Sequence, residues 1–297
     1  MNLKTFCDQN HAPIPLGILA MDDELIRDIQ GQLMLVGLLD PPVDGKFGPV
    51  SRWALTAFCE RTQVSLAGGF TKQIAAALLD GPVNDVFPLN PGSDFAGRVI
   101  KAMQKGLYWI NRHPDCCNIV YIEGCNTDGT ANANNPNQFN DVRLLITVGI
   151  NSVPKLVHVW DGTTEPGRVW TMNPMDPHGA ARIAFGQYKS WAVGIHHAGQ
   201  SSAHEALVQV DDVTVYRDLN KDFRRVGDRT YTGVFAINQH WGYNLLQNDL
   251  GNSSAGCLVG RTKDGHKEFM SLVKKDPRHL ASTAYRFVST ILPFSDL

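Results

Sequence analysis

The sequence contains neither a long hydrophobic run nor an excess of charge of one sign. No apolar stretch approaches the roughly 18 residues that a membrane span needs. Lys and Arg total 27 and Asp and Glu total 29, so the net charge is −2, and the basic residues are scattered along the chain. Because nucleic-acid binding normally requires a basic face, we expect neither membrane insertion nor a nucleic-acid partner.

Paired cysteine motifs are also missing. The six cysteines include no Cys-x-x-Cys pair, which argues against a structural zinc site. Cys116 and Cys117 are adjacent and Cys125 lies nearby, but this spacing favours no particular disulfide connectivity. We expect reduced thiols, no metal and no cofactor.

The strongest chemical signal is a histidine followed by a cysteine. His240 lies seventeen residues before Cys257. An imidazole beside a thiol can accept its proton and leave a thiolate that attacks a carbonyl. Four small residues precede the cysteine: Ser253, Ser254, Ala255 and Gly256. They allow close approach to the sulfur and provide backbone N–H groups for an oxyanion, so we predict Cys257 as the nucleophile and His240 as its base.

Polar and aromatic residues around His240 are candidate substrate contacts. Asn238, Trp241 and Tyr243 are close to it in sequence, and Asn238 could also orient the imidazole. Core packing is the alternative for Trp241. Glu165 and Arg182 lie near predicted strand ends, where they either bind substrate or cap the sheet.

A second group of histidines raises the alternative of a metal-dependent hydrolase. His196, His197 and His204 are close in sequence. Adjacent residues on a strand point to opposite faces, so His196 and His197 cannot easily ligate the same ion. We therefore expect structural histidines, with His196 also a candidate for the substrate cleft.

Helical patterns dominate the first part of the chain. Residues 23–36 place Leu25, Ile29 and Leu33 on one face at helical spacing. A Pro- and Gly-rich turn follows at 40–48, and Pro49 fits the first position of a second helix. A third helix is predicted to begin after Thr71.

Short β-rich segments dominate the rest of the chain. They lie at 118–122, 142–148, 155–160, 205–210, 213–217, 233–238 and 285–292. Helices are predicted at 95–106 and 267–275. The fold class is therefore α+β: a small three-helix bundle at 1–82, a linker at 83–94, and a β-rich sandwich or barrel domain with a few helices at 95–297.

The stretch from His240 to Cys257 resembles the catalytic motif of the L,D-transpeptidase (YkuD-like) family. The matching residues are His240, Ser254, Gly256 and Cys257. The resemblance implies that Cys257 accepts the acyl group, that His240 is its base and that Ser254 belongs to the surrounding hydrogen-bond network. Ala255 stands where the family usually has His, and Val259 where an Arg or Asn is often found. Arg261 is the candidate substitute for that missing cation.

Residues 22–80 resemble a small peptidoglycan-binding domain of the three-helix type. The most typical part is the Val-Asp-Gly-x-Phe-Gly core of the turn, which contains Asp44 and Phe47. The resemblance implies that these two residues contribute to polymer binding.

Together the two resemblances imply a peptidoglycan-acting cysteine enzyme that forms a thioester with the stem peptide. Water as acceptor gives a peptidase, and an amine gives L,D-transpeptidation. No secretory signal is visible, which favours a lysin-like hydrolase at the bacterial wall or periplasm that is released by lysis, carried by a virion or delivered by another partner. The alternatives are an L,D-transpeptidase and a catalytically inactive wall-binding or virion structural protein.

Overall fold

The computed structural model describes residues 1–9 and 11–297, which form a mixed α/β structure. In this part of the chain, six helices precede the first strand: α1 (Leu3–Asp8), α2 (Leu16–Leu19), α3 (Asp23–Leu35), α4 (Pro49–Thr62), α5 (Lys72–Asp80) and α6 (Phe95–Lys105). The first seven strands are β1 (Asn118–Glu123), β2 (Asp141–Val148), β3 (Pro154–Thr163), β4 (Ala180–Ile183), β5 (Gly186–His196), β6 (His204–Gln209) and β7 (Val213–Asp218), with α7 (Arg168–Met172) before β4. The remaining elements are β8 (Arg229–Gly233), β9 (Gln239–Trp241), β10 (Leu258–Gly260), α8 (Lys263–Val273), α9 (Pro277–Ala281), β11 (Phe287–Pro293) and a closing 3-10 turn (Phe294–Asp296).

The helices of the N-terminal region start where the sequence provides caps. The Asp22 carboxylate accepts from Leu25 N at the start of α3, Pro49 opens α4, and the Thr71 hydroxyl accepts from Ile74 N at the start of α5. Helices α1 and α2 add to these three, and Phe6 of α1 is buried in the same core. A bundle of only three helices is therefore not confirmed.

Eight strands close into a barrel in the order β1-β11-β5-β6-β9-β10-β3-β2. The pairs β1/β11 and β9/β10 are parallel, and the other neighbours are antiparallel. Tyr121, Trp191 and Leu207 belong to its buried core, while α6 covers another hydrophobic cluster that includes Leu144 of β2. The expected β-rich barrel with a few helices is confirmed.

One predicted strand is wrong. The strand predicted at 233–238 is not formed: Gly233 is the last residue of β8, and Ala236 has a left-handed backbone with φ 59°. The Gln209 side-chain carbonyl instead accepts from the backbone N–H groups of Phe235 and Ile237 at 3.0 and 2.8 Å. Side-chain amide bonding therefore replaces the strand ladder just before β9.

A three-stranded sheet, β4-β7-β8, is joined to the barrel by buried charges. Arg182 of β4 donates to Glu165 at 2.6 Å, and Arg225 donates to both oxygens of Glu123 at 2.7 and 2.5 Å. Thr164 Oγ1 lies 2.9 Å from a carboxyl oxygen of Glu123 and 2.9 Å from one of Asp141, so it hydrogen-bonds with both groups. These bonds fix β4 against the ends of β1 and β3.

The N-terminal helices contact the barrel domain through a buried carboxylate. Asp40 is 1% exposed. It accepts from Tyr285 Oη at 3.0 Å and pairs with Lys189 Nζ at 2.6 Å and Arg278 Nη1 at 3.6 Å. Trp109 Nε1 also donates to Met34 O at 3.1 Å. The two regions are thus held together by specific polar contacts. Among the described helices, none has the length and apolar character to cross a membrane.

Candidate active site

Parallel pairing of β9 and β10 places the backbones of His240 and Cys257 on neighbouring segments of the barrel. Val259 is opposite His240, and Leu258 is opposite Gln239. Cys257 immediately precedes β10, so it lies two positions from the level of His240 on the neighbouring chain. With strands about 4.8 Å apart and about 3.3 Å per residue, the two Cα atoms are separated by roughly 8 Å. Side chains of this size can meet across such a distance.

The loop before Cys257 is held by Ser254, which is fully buried. Its hydroxyl donates to Cys257 O at 2.9 Å and accepts from Gly256 N at 3.1 Å. Gly256 has φ 129°, and a Cβ there would lie 2.5 Å from Ala181 O. Only glycine therefore fits at position 256, where the loop passes β4.

One hydrogen bond fixes the tautomer of His240. Its Nδ1 lies 2.8 Å from Trp241 O, and since a carbonyl can only accept, Nδ1 carries the proton. Nε2 is then the acceptor nitrogen. The ring stacks on His196 with centroids 3.9 Å apart, and Asn238 Nδ2 donates to His196 Nδ1 at 2.9 Å. Asn238 thus positions His240 through His196 rather than directly.

The protonation states at rest are neutral. Burial raises the pKa of the Cys257 thiol to about 11, against a smaller opposing effect of the Asn238 N–H. Burial lowers the pKa of His240 well below its usual value, and the neighbouring His196 makes a smaller contribution in the same direction. Burial also lowers the pKa of His196 to about 4. Both the thiol of Cys257 and the imidazole of His240 are therefore neutral near pH 7.

The thiol does not bond to the imidazole in this state. Cys257 Sγ instead donates to Ala236 O at 3.4 Å. Transfer of its proton to His240 Nε2 requires Sγ to leave this carbonyl by rotation about the Cα–Cβ bond. The cysteine residue as a whole is partly exposed.

A cleft of about 460 Å³ lies beside the nucleophile loop. Ala181, Ala236 and Ala255, which surround Cys257 and Gly256, form part of its lining. Arg217 lies at the cleft with its guanidinium 3.3 Å from Asp176 Oδ2. The cleft therefore combines an apolar lining with one ion pair, as ligand sites commonly do.

The other residues predicted near the base line a separate aromatic cluster. Trp241 stacks on His204 with centroids 3.8 Å apart, and the Tyr243 ring is 6.5 Å from His240. Lys263 Nζ is 5.6 Å from the Trp241 ring centroid. These residues lie on the base side of the site, and the alanine-lined cleft lies on the nucleophile side.

Arg261 lies beyond the other end of β10 from Cys257. Its Nε pairs with Asp161 Oδ2 at 3.2 Å, and both residues line a different surface cleft. Val259, the position where the family often has a cation, is fully buried. Neither position presents a free cation to the sulfur.

Asp44 and Phe47 lie in the N-terminal turn. The Asp44 carboxylate accepts from Gln30 Nε2 at 2.8 Å and from Lys46 N at 2.9 Å, so it holds the turn together. Phe47 lines a surface cleft with Arg52 and Trp53. Of the two, Phe47 is the one placed at a surface that a ligand can contact.

The histidines do not converge on a metal. His197 has φ 54°, leaves the strand and stacks on His196 at 3.8 Å, so the expectation of opposite faces is wrong. His204 Nδ1 is 2.8 Å from Ser202 O. Among the described residues, no group of three or more His, Cys, Asp or Glu is arranged to hold a metal ion, and all six cysteines, Cys116, Cys117 and Cys125 included, are free.

The sequence predicts only part of the buried charge network beside β4. It points to Glu165 and Arg182, which pair with each other, but not to the nearby carboxyls of Glu123 and Asp141. Burial raises the pKa of Glu165, and the nearby carboxyls of Asp141 and Glu123 add to this effect while Arg182 opposes it. Only the cluster of turn residues after β3 marks this region in the sequence.

No protein-family model matches the chain, and neither a curated protein nor a solved structure is significantly similar to it. The relation to L,D-transpeptidases and to peptidoglycan-binding domains therefore depends on the short motifs described above.

Proposed function

We propose that this protein is a cysteine acyl-transfer enzyme that acts on the stem peptides of peptidoglycan. The observation that supports the proposal is the parallel register of β9 and β10, which pairs Val259, two residues after Cys257, with His240, whose Nδ1 lies 2.8 Å from Trp241 O. A nucleophile, a base and a group that fixes the base are the parts that such chemistry needs.

In the proposed reaction, His240 Nε2 accepts the thiol proton as Sγ turns away from Ala236 O. The thiolate attacks the amide carbonyl, the amine leaves with the proton from His240, and a thioester on Cys257 remains. In the described structure, the backbone N–H groups of Ala255 and Cys257 have no hydrogen-bond acceptor, which supports a role in binding the oxyanion.

The choice of peptidoglycan is supported by the two motif resemblances and by the attached N-terminal region. We propose that residues 1–82 are a peptidoglycan-binding module built around the three helices α3, α4 and α5, and that residues 95–297 are an L,D-transpeptidase-like catalytic domain. Phe47 and its cleft would contact the polymer, and the alanine-lined cleft at Arg217 would receive the stem peptide.

Hydrolysis is the favoured outcome, with transpeptidation as the alternative. Water reaches the partly exposed Cys257 without a special site, whereas an acceptor amine needs its own binding groups. Neither Val259 nor Arg261 offers a free cation near the sulfur. A lysin-like peptidase acting at the wall, released by lysis or carried by a virion, fits this site.

The hydrogen bond from Cys257 to Ala236 O favours one further candidate, a catalytically inactive wall-binding or virion structural protein. In that case the thiol stays neutral and never transfers its proton. The fold and the N-terminal region would then serve only to adhere to the wall.

Treatment of purified sacculi, followed by mass spectrometry of the muropeptides, tests these functions. We expect the wild-type protein to release stem-peptide fragments and to carry an acyl adduct on Cys257. Cys257→Ala should abolish both, while the matched control Cys7→Ala, a partly exposed cysteine of α1, should retain them.

The other outcomes identify the alternatives. New cross-links without released fragments would replace hydrolysis by transpeptidation. Unchanged muropeptides with all three proteins, together with retained binding to sacculi, would overturn the enzymatic proposal and leave the inactive wall-binding protein.

A further inference from the structure

A cleft lined by uncharged amides lies near the active site but is not used by the proposed chemistry. It has a volume of about 440 Å³. We call it the amide cleft, because its lining includes Asn135, Gln138, Asn140, Gln247 and Asn248. Every lining residue is uncharged. An anionic or cationic ligand would find no counter-ion there, so the cleft fits a neutral polar ligand.

The loops that form the amide cleft are held in place by hydrogen bonds. Phe139 N donates to Gln247 O at 2.8 Å, and Leu250 N donates to Asn137 O at 3.1 Å, which ties the two loops together. Asn140 Nδ2 donates to Asn135 O at 2.8 Å. A ligand would therefore meet a preformed surface and would not have to order it.

Several amides in the cleft have unused hydrogen-bonding capacity. Within the described chain, the side chains of Asn135, Gln138, Gln247 and Asn248 make no hydrogen bond to the protein. Asn140 Oδ1 is buried and also has no partner. A buried acceptor without a hydrogen-bond partner destabilises the protein. A side-chain amide both donates and accepts hydrogen bonds, so it complements the hydroxyl and acetamido groups of a sugar, which do the same.

The position of the cleft connects it to the nucleophile. Gln247 and Asn248 belong to the loop that runs from His240 to Cys257. Phe139 and Leu250, from the two loops that form the cleft, are buried in one small cluster against which Cys257 packs. The loops of the cleft and Cys257 therefore pack against the same small cluster.

We propose that the amide cleft binds the glycan strand of peptidoglycan. The part of the strand at the cleft would be a neutral chain of N-acetylated hexosamines, and its binding would hold the attached stem peptide near Cys257. This inference depends on the proposed function for its choice of polymer. It adds a glycan site within the barrel domain, separate from the Phe47 cleft of the N-terminal region.

Binding of a soluble N-acetylglucosamine oligomer to the Cys257→Ala protein tests the inference without requiring catalysis. Side-chain NH₂ signals of Gln138 and Gln247 should shift in the NMR spectrum on titration. The double variant Gln138→Ala/Gln247→Ala should weaken this binding event about tenfold, since each lost hydrogen bond contributes about 0.5–1.5 kcal/mol. The control Asn84→Ala/Gln104→Ala removes two exposed amides elsewhere and should leave it unchanged.

Unshifted Gln138 and Gln247 signals, or equal affinity of the double variant and the control, would overturn the inference. Its failure is distinguishable from that of the proposed function. Stem-peptide release by the wild-type protein without oligomer binding would refute only the glycan site. Oligomer binding at the cleft with unchanged sacculi would support the glycan site while refuting the enzymatic proposal.

Discussion

Replacement of Gly256 by alanine tests whether the shape of the nucleophile loop controls the reactivity of Cys257. The new Cβ would lie 2.5 Å from Ala181 O and 2.9 Å from Ala181 Cβ, at a backbone φ of 129°. A strained backbone costs on the order of 1–3 kcal/mol, and overpacking costs a similar amount. We expect the free energy of unfolding to fall by about 2–4 kcal/mol, with Cys257 displaced from β4.

Gly251→Ala is a matched control in the same loop. Gly251 also has positive φ, 53°, but an added Cβ would meet only Leu245 Cδ1 at an ordinary 3.4 Å. It should cost about 1 kcal/mol for the left-handed backbone alone. Comparison of the two variants therefore separates backbone strain from the clash with Ala181.

Two measurements decide the outcome. Urea unfolding gives the stability difference, and peptide mapping after limited alkylation gives the rate at which Cys257 reacts. Under native conditions we expect Gly256→Ala to change that rate several-fold and to abolish the proposed release of stem peptides, while Gly251→Ala changes neither. If the two variants behave alike in both measurements, the packing of Gly256 against Ala181 does not position the thiol.

Two further predictions concern buried charge. Burial, aided by the charge of Arg143, lowers the pKa of His266 to about 3, so between about pH 6 and 4 only the unfolded state takes up this proton. As the pH is lowered through that window, the free energy of unfolding of the wild type should fall by about 1.4 kcal/mol per pH unit relative to that of His266→Gln. If the free energies of unfolding from urea titrations depend on pH in the same way for both proteins, this prediction is contradicted. Asp40→Asn should lower the free energy of unfolding by about 3–5 kcal/mol, because it leaves Lys189 and its neighbours without a buried anionic partner. In the same assay the control Glu205→Gln, which breaks an ion pair whose side chains are 40% exposed, should lower it by less than about 1 kcal/mol.

The fold was predictable where local signals were strong. The cap residues Asp22, Pro49 and Thr71 mark the starts of α3, α4 and α5, and the apolar segments before β10 largely match strands. The eleven-residue strand β5 was missed because its alternation is blurred by Gly, Gln, Lys and Ser and ends in His196. Strand order in the barrel was not predictable, since β1 pairs with β11 across nearly the whole domain.

The candidate site likewise contains residues that the sequence predicts and contacts that it does not. The sequence points to Cys257 and His240 as candidates because of their residue types and the small residues before the cysteine. It does not indicate His196 as the stacking partner of His240, because that contact arises between β5 and β9 across the intervening strand β6. The ion pair of Glu123 with Arg225 joins residues 102 positions apart, and no local pattern links them.

The fixed contact between the N-terminal region and the barrel limits how the proposed enzyme can use its polymer. A flexible tether would let a wall-binding module anchor anywhere near the chemistry. Here Asp40 is buried against Lys189 and Arg278, and the Phe47 cleft also includes Ala281 of α9. Polymer bound in that cleft therefore has a set position relative to Cys257, so only stem peptides at a particular spacing along the wall would reach the sulfur. The distance between the Phe47 cleft and Cys257 is fixed by the packing of folded regions. The spacing of the modified stem peptides along the wall would therefore reflect this distance and not the reach of a flexible linker.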